Sequence, residues 1–168
     1  MMLEMILAVI LLTADPAQSR PVSEPTSMKS VACDFFTHDA AAKLLGQKAI
    51  GVDGGETATA QTRSWKCTFS AAENGDAGPK IYFMMLKSTS EDVAKGEFET
   101  IRQSNKKNSG FEEWPGVGDE AVVHADGDHF KFVMVRKGVK TIRVKINPAM
   151  GISLAAVKDV ANGLVAKL

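Results

Sequence analysis

The chain carries only two cysteines in 168 residues, no excess charge of either sign, and no apolar run long enough to cross a bilayer. Each shortage excludes a class of protein. Its 20 basic and 20 acidic side chains cancel, so no global field recruits nucleic acid or an anionic membrane. The strongest apolar stretch, Met5 to Leu12, is too short to span a membrane as a mature helix. One pair of cysteines does not complete a structural zinc site without two further ligands. There is no internal repeat, no Gly-x-Ser-x-Gly elbow and no phosphate-loop motif, so hydrolase and nucleotide chemistry lack sequence support. What is present, 45 % hydrophobic and 24 % charged residues, fits one ordinary globular domain.

Met5 to Leu12 has the length of a signal-peptide h-region, and Ala17 and Ser19 form an A-x-S cleavage site that leaves Arg20 as the new N-terminus. Its n-region, Met1-Met2-Leu3-Glu4, carries an acid where a base is usual. The expectation is export to a periplasm or the medium, with residues 1–19 as signal peptide and no stable membrane insertion after cleavage. Cleavage removes Glu4 and Asp15 and no base, leaving a charge of +2, still too small to steer a polyanion. Residues 20–32 are rich in Pro and Ser and have no apolar period, which reads as a flexible leader before a single domain over 33–168. In an oxidising compartment Cys33 and Cys67 are expected to form one disulfide. In the chain-entropy model such a bridge stabilises by about 3–4 kcal/mol. Ser30-Val31-Ala32-Cys33 looks like a lipoprotein processing box, yet it lies far beyond the h-region, so no lipid anchor is expected.

Thr37 is placed to cap a short helix over His38 to Leu45, which Gly46 would stop. Gly51 to Thr59 reads as loop. Gln61 to Phe69 alternates, with Trp65, Cys67 and Phe69 on one side, and Lys80 to Lys87 is a second strand across the Asn74 to Pro79 turn. Ser88 and Glu91 match a capping box that opens a helix with Val93, Phe98 and Ile101 facing a core. Basic residues at its end suit the helix dipole. Glu120 to His124, His129 to Val135 and Val139 to Asn147 predict an antiparallel meander, and Ser153 caps a final helix to Leu168. The sum is an α+β domain with an antiparallel sheet of about five strands, three helices and one disulfide.

A three-residue loop at Arg136-Lys137-Gly138 would place Phe130, Phe132 and Met134 beside Ile142, Val144 and Ile146 on a core face. Lys131, Val133, Val135, Thr141, Arg143 and Lys145 would then share the other face, the expected contact surface. A two-residue loop would set the three apolar side chains beside Arg143 and Lys145, so the hydrophobic pattern favours the longer loop. In that register Phe130 and Phe132 are buried, which also argues against single-stranded nucleic acid.

An early Cys33 before an Ala-rich helix ending Leu44-Leu45-Gly46, Cys67 in the first strand, Gly116-Val117-Gly118-Asp119-Glu120-Ala121 opening the meander, and a terminal amphipathic helix form a recognisable set. In these features, over roughly Cys33 to Leu168, the chain resembles the small exported, often lipid-anchored domains of unknown function common in actinobacteria. The resemblance implies a disulfide-linked α+β exported domain and brings no catalytic residue. This chain departs from the lipid-anchored members in lacking a processing-competent cysteine.

The densest set of potential ligands is His124-Ala125-Asp126-Gly127-Asp128-His129. A zinc or copper ion would use His124 and His129, and calcium would use Asp126 and Asp128. Asp126-Gly127 is equally a strong hairpin turn, the reading preferred here. Gly116-Val117-Gly118 lacks the third glycine and the helix of a dinucleotide fingerprint. Met84 and Met85 point to opposite faces of a strand, which argues against a shared thioether copper site. The sequence therefore favours an exported, non-enzymatic binding domain that needs no cofactor and meets a protein or small-molecule partner in the cell envelope. The alternative is a metal-binding protein or metal-dependent enzyme at the His124 to His129 turn.

Overall fold

The computed structural model describes residues 31–73 and 78–168. The expected signal peptide, most of the leader and residues 74–77 of the expected Asn74 to Pro79 turn lie outside the described residues. Within them the chain order is α1 (Val31–Phe35), α2 (His38–Leu45), β1 (Ala49–Ala58), β2 (Thr62–Ala71), β3 (Lys80–Ser88), α3 (Glu91–Asn105), β4 (Phe111–Glu113), β5 (Glu120–Asp126), β6 (Phe130–Lys137), β7 (Lys140–Asn147) and α4 (Leu154–Val165). The α+β class holds. The strands form one antiparallel sheet of seven, in the order β1-β2-β3-β7-β6-β5-β4.

Two strands and one helix exceed the expectation. Strand β1 occupies the stretch read as loop, because Gly51 is there for close packing: a Cβ on it would sit 2.8 Å from the Phe69 ring. Gly55, at φ 77°, takes the bulge between Asp53 and Glu56, where Asp53 Oδ1 accepts from the Gly55 N–H at 2.9 Å. Strand β4 is a three-residue edge on β5. Helix α1 begins two residues before Cys33, and Ala32 is fully buried in it. That pair therefore belongs to the folded domain and not to the leader.

Capping explains the other helix starts. Thr37 accepts from the Ala40 N–H, and Gly46 ends α2 in the left-handed conformation. Ser153 caps α4. Ser90, not Ser88, caps α3 by accepting from the Val93 N–H, because β3 extends through Ser88.

Helices α1, α2 and α4 pack on one face of the sheet and α3 on the other. The first face holds the main core, which includes Phe69, Ile81, Phe83, Val133, Val135, Ile142, Val144 and Ile146. It also holds the Cys33–Cys67 disulfide, with Cα atoms 5.2 Å apart, which ties α1 to β2. The second face carries a smaller cluster, Phe98, Val122 and Met134, with Ile101, Phe111 and Phe132 packed against it.

This division corrects the expected register. Lys137 pairs with Lys140 and Val135 with Ile142, so the β6–β7 loop is the two residues Gly138 and Val139, with Gly138 at φ 58°. Phe132 and Met134 then stand beside Lys145 and Arg143, not on the face of Ile142, Val144 and Ile146. Hydrophobic alternation selects a register when only one face of the sheet is buried. Because α3 supplies apolar cover on the second, both alternating sets of β6 find a hydrophobic home, and alternation loses its power to select the register.

Candidate binding cleft

The six residues of the expected contact surface do not share a face. Lys131 is 6 % exposed, and its Nζ donates to the carbonyls of Gly127 at 3.0 Å and Ala149 at 3.2 Å. Val133 and Val135 lie in the main core. Thr141 is buried on the opposite face, its hydroxyl without a hydrogen-bond partner. Only Arg143 and Lys145 reach an open surface, and they do so on the second face, which follows directly from the two-residue loop.

Nor does the metal set converge. His124 presents its Nδ1 at 3.1 Å from Asn105 Oδ1 and its ring edge-on to Phe130, with centroids 4.9 Å apart. The Asp126 carbonyl accepts from the His129 N–H at 2.8 Å, which closes the hairpin, while the Asp128 carbonyl accepts from Ala149. Among the described residues no three His, Cys, Asp or Glu side chains gather as a metal site would require. Four potential ligands adjacent in sequence are thus dispersed by a turn.

The second face offers something else. Lys66, Met84 and Arg143 form one row across β2, β3 and β7, and Thr68, Tyr82, Lys145 and Phe132 form the next across β2, β3, β7 and β6. These side chains line a cleft of about 320 Å³ that includes no α3 residue and no carboxylate. Met84, Phe132 and Thr68 are half-buried in its floor, whereas Lys66, Tyr82 and Lys145 are exposed. The apolar surface continues outward through Ile50 and Val52 of β1, both at least half exposed and pointing the same way. An adjoining depression of about 270 Å³ shares Phe132 and Lys145 and adds Asn105, His124 and Phe130.

Arg143 is an incompletely satisfied charge. Its Nε is buried without a hydrogen-bond partner. Burial pushes its pKa down, and the Glu97 carboxylate of α3 opposes that shift. Glu97 spends one oxygen on the Thr62 hydroxyl at 2.6 Å and leaves the other buried and unbonded. Lys145 lies over the Phe130 ring, 5.8 Å from its centroid. Chemically the cleft combines an apolar floor with cations. It has neither a histidine nor a carboxylate in its lining to activate the Thr68 or Tyr82 hydroxyl.

Two larger cavities are less discriminating. The groove between α2 and α4, about 530 Å³, balances Asp39 and Asp159 against Lys43 and Lys167. Another, of about 410 Å³, is lined by charges already paired: Arg102 with Glu113, and Asp119 and Glu120 with Arg136.

Sequence reasoning missed Lys66, Tyr82, Met84 and Phe132. A signal was available in β3, where Tyr82 and Met84 alternate with Ile81, Phe83 and Met85 and so must face away from the core. No protein-family model matches the chain, and neither a curated protein nor a solved structure shows significant similarity to it.

Proposed function

We propose that this protein is an exported, non-enzymatic binding module that takes its partner on the open half of the second sheet face. The observation that carries the reading is the cleft between Tyr82, Met84 and Phe132, rimmed by Lys66, Arg143 and Lys145 without an opposing carboxylate in its lining. A concave apolar surface with a few convergent polar groups is the usual form of a ligand site. The lack of a histidine or carboxylate in the lining beside the two hydroxyls favours binding over catalysis. Export is supported by the Cys33–Cys67 disulfide. Among the described residues no helix is long and apolar enough to cross a membrane.

Native mass spectrometry of the protein purified from its own host tests the whole reading. The expected spectrum starts at Arg20, is two hydrogens lighter than the reduced chain, and includes a bound species that the double variant Arg143→Glu, Lys145→Glu does not retain. An uncleaved, reduced chain would overturn export. Equal retention by both proteins would move the binding surface elsewhere.

A further inference from the structure

We infer that the cleft takes a small amphiphilic anion, a single carboxylate or phosphate head carried on a compact apolar body. This rests on the reading of the cleft as the binding surface and adds the chemistry of what fills it. The sign of the charge comes first. Lys66, Arg143 and Lys145 meet in the lining, and the one carboxylate acting on Arg143, Glu97, lies outside the cleft on α3. A neutral guest would leave these three cations without a counter-charge in the lining, whereas an anion supplies a charge-assisted acceptor.

Shape restricts the body. Lys66 and Arg143 flank Met84 on successive strands, so their backbones stand about 10 Å apart. The floor between them is apolar, with Tyr82 and Phe132 on the next row. One ring or a short acyl chain covers that width. A cavity of about 320 Å³ lies at the small end of ligand sites, which run from about 300 to 1,000 Å³. The strands beneath it, β2, β3, β7 and β6, each have hydrogen-bonded neighbours on both sides. No free backbone edge is available there to add a peptide strand, and side chains must do the recognising. Concavity further selects a single molecule over a flat lipid surface.

Calorimetry and amide-shift mapping on the mature disulfide-bonded chain test this with five probes: octanoate, phenyl phosphate, 1-octanol, inorganic phosphate and phosphatidylglycerol vesicles. Octanoate or phenyl phosphate should bind one per chain, shift the amides of Tyr82, Met84 and Arg143, and exceed octanol and inorganic phosphate by roughly tenfold in affinity. Arg143→Met keeps the apolar stem and should weaken the amphiphilic anions by roughly tenfold while sparing octanol. Lys145→Ala, on an exposed side chain that does not endanger folding, should weaken them roughly threefold. Equal binding of octanol and octanoate in the cleft overturns the anion and leaves the module reading standing. Vesicle binding without soluble-anion binding overturns it in favour of a membrane surface. No cleft shift with any probe also overturns it, and the host-purified spectrum then judges the module reading independently.

Discussion

Tyr82 and Phe83 are neighbours in β3, yet Phe83 is 1 % exposed and Tyr82 44 %. Phe83 points toward α1, where Phe35 stacks on it at 6.0 Å and Phe36 tilts against it at 5.1 Å between centroids. Tyr82 points to the face that α3 covers only in part, since no α3 residue lines the cleft around it. The contrast extends across the sheet. Three helices and a disulfide close the first face, while one helix divides the second into a packed half around Met134 and an open half around Tyr82. Under the proposed reading, stability and recognition fall on different sides of the same strands. A strand needs only one deeply buried face to be held, which frees the other to present side chains.

The largest effect should come from emptying the closed face. Phe83→Ala is expected to cost about 3–5 kcal/mol in urea unfolding of the oxidised protein, because the pocket left between Phe35 and Phe36 collapses only partly. Tyr82→Ala, one residue away, should stay within about 0.5 kcal/mol. Similar losses at both positions would erase the contrast between the faces. Next in size is the packed half of the second face. Met134 is fully buried, and Met134→Ala should cost about 2–5 kcal/mol. A change near zero would mean that α3 contributes little to holding the sheet.

The smallest effect concerns the outer side of α3. Arg102 donates to Glu99 at 2.6 and 2.9 Å and to Glu113 of β4 at 2.7 Å, linking the helix to the sheet edge. The Arg102 hydrogen bonds, followed by that of Gln103, hold the Glu99 carboxyl down from 4.5 to about 2. Since the folded value is the lower one, Glu99 contributes its full stabilisation above about pH 4.5 and loses it as pH falls through about 2. The pair is exposed, so the contribution is small and salt weakens it. Thermal unfolding should show Glu99→Gln less stable than the parent at pH 6 in low salt, with most of that difference gone by about pH 2. A difference that persists unchanged at pH 2 would assign the effect to packing.

Where local rules were sufficient, the chain was legible. Thr37 and Gly46 bracket α2, Ser153 starts α4, and the alternation of Trp65, Cys67 and Phe69 places β2 with its half-cystine inward. Each depends on groups a few residues apart. Ser88 and Ser90 show the limit, since both offer a capping hydroxyl and the one used depends on how far β3 stays paired with β2 and β7. The glycines before Thr59 show it again. Composition marks them as loop, while only the Phe69 ring beside Gly51 explains why a strand needs glycine at that point.

The candidate site was less legible than the fold. Arg143 and Lys145 were identified from sequence, but their companions were assigned from a register that one loop residue reverses. Lys131, Val133 and Val135 went to the core as a result, and Lys66, Tyr82 and Met84 took their place. The sequence by itself determined the caps of α2 and α4, the meander and the cysteine pairing partner, because those follow from backbone capping, side-chain alternation and the count of two thiols. Only the tertiary structure decided which face each side chain of β6 and β7 occupies. With helices on both sides of the sheet, either register buries an apolar set, and the choice falls to α3 and to how much of the second face it covers.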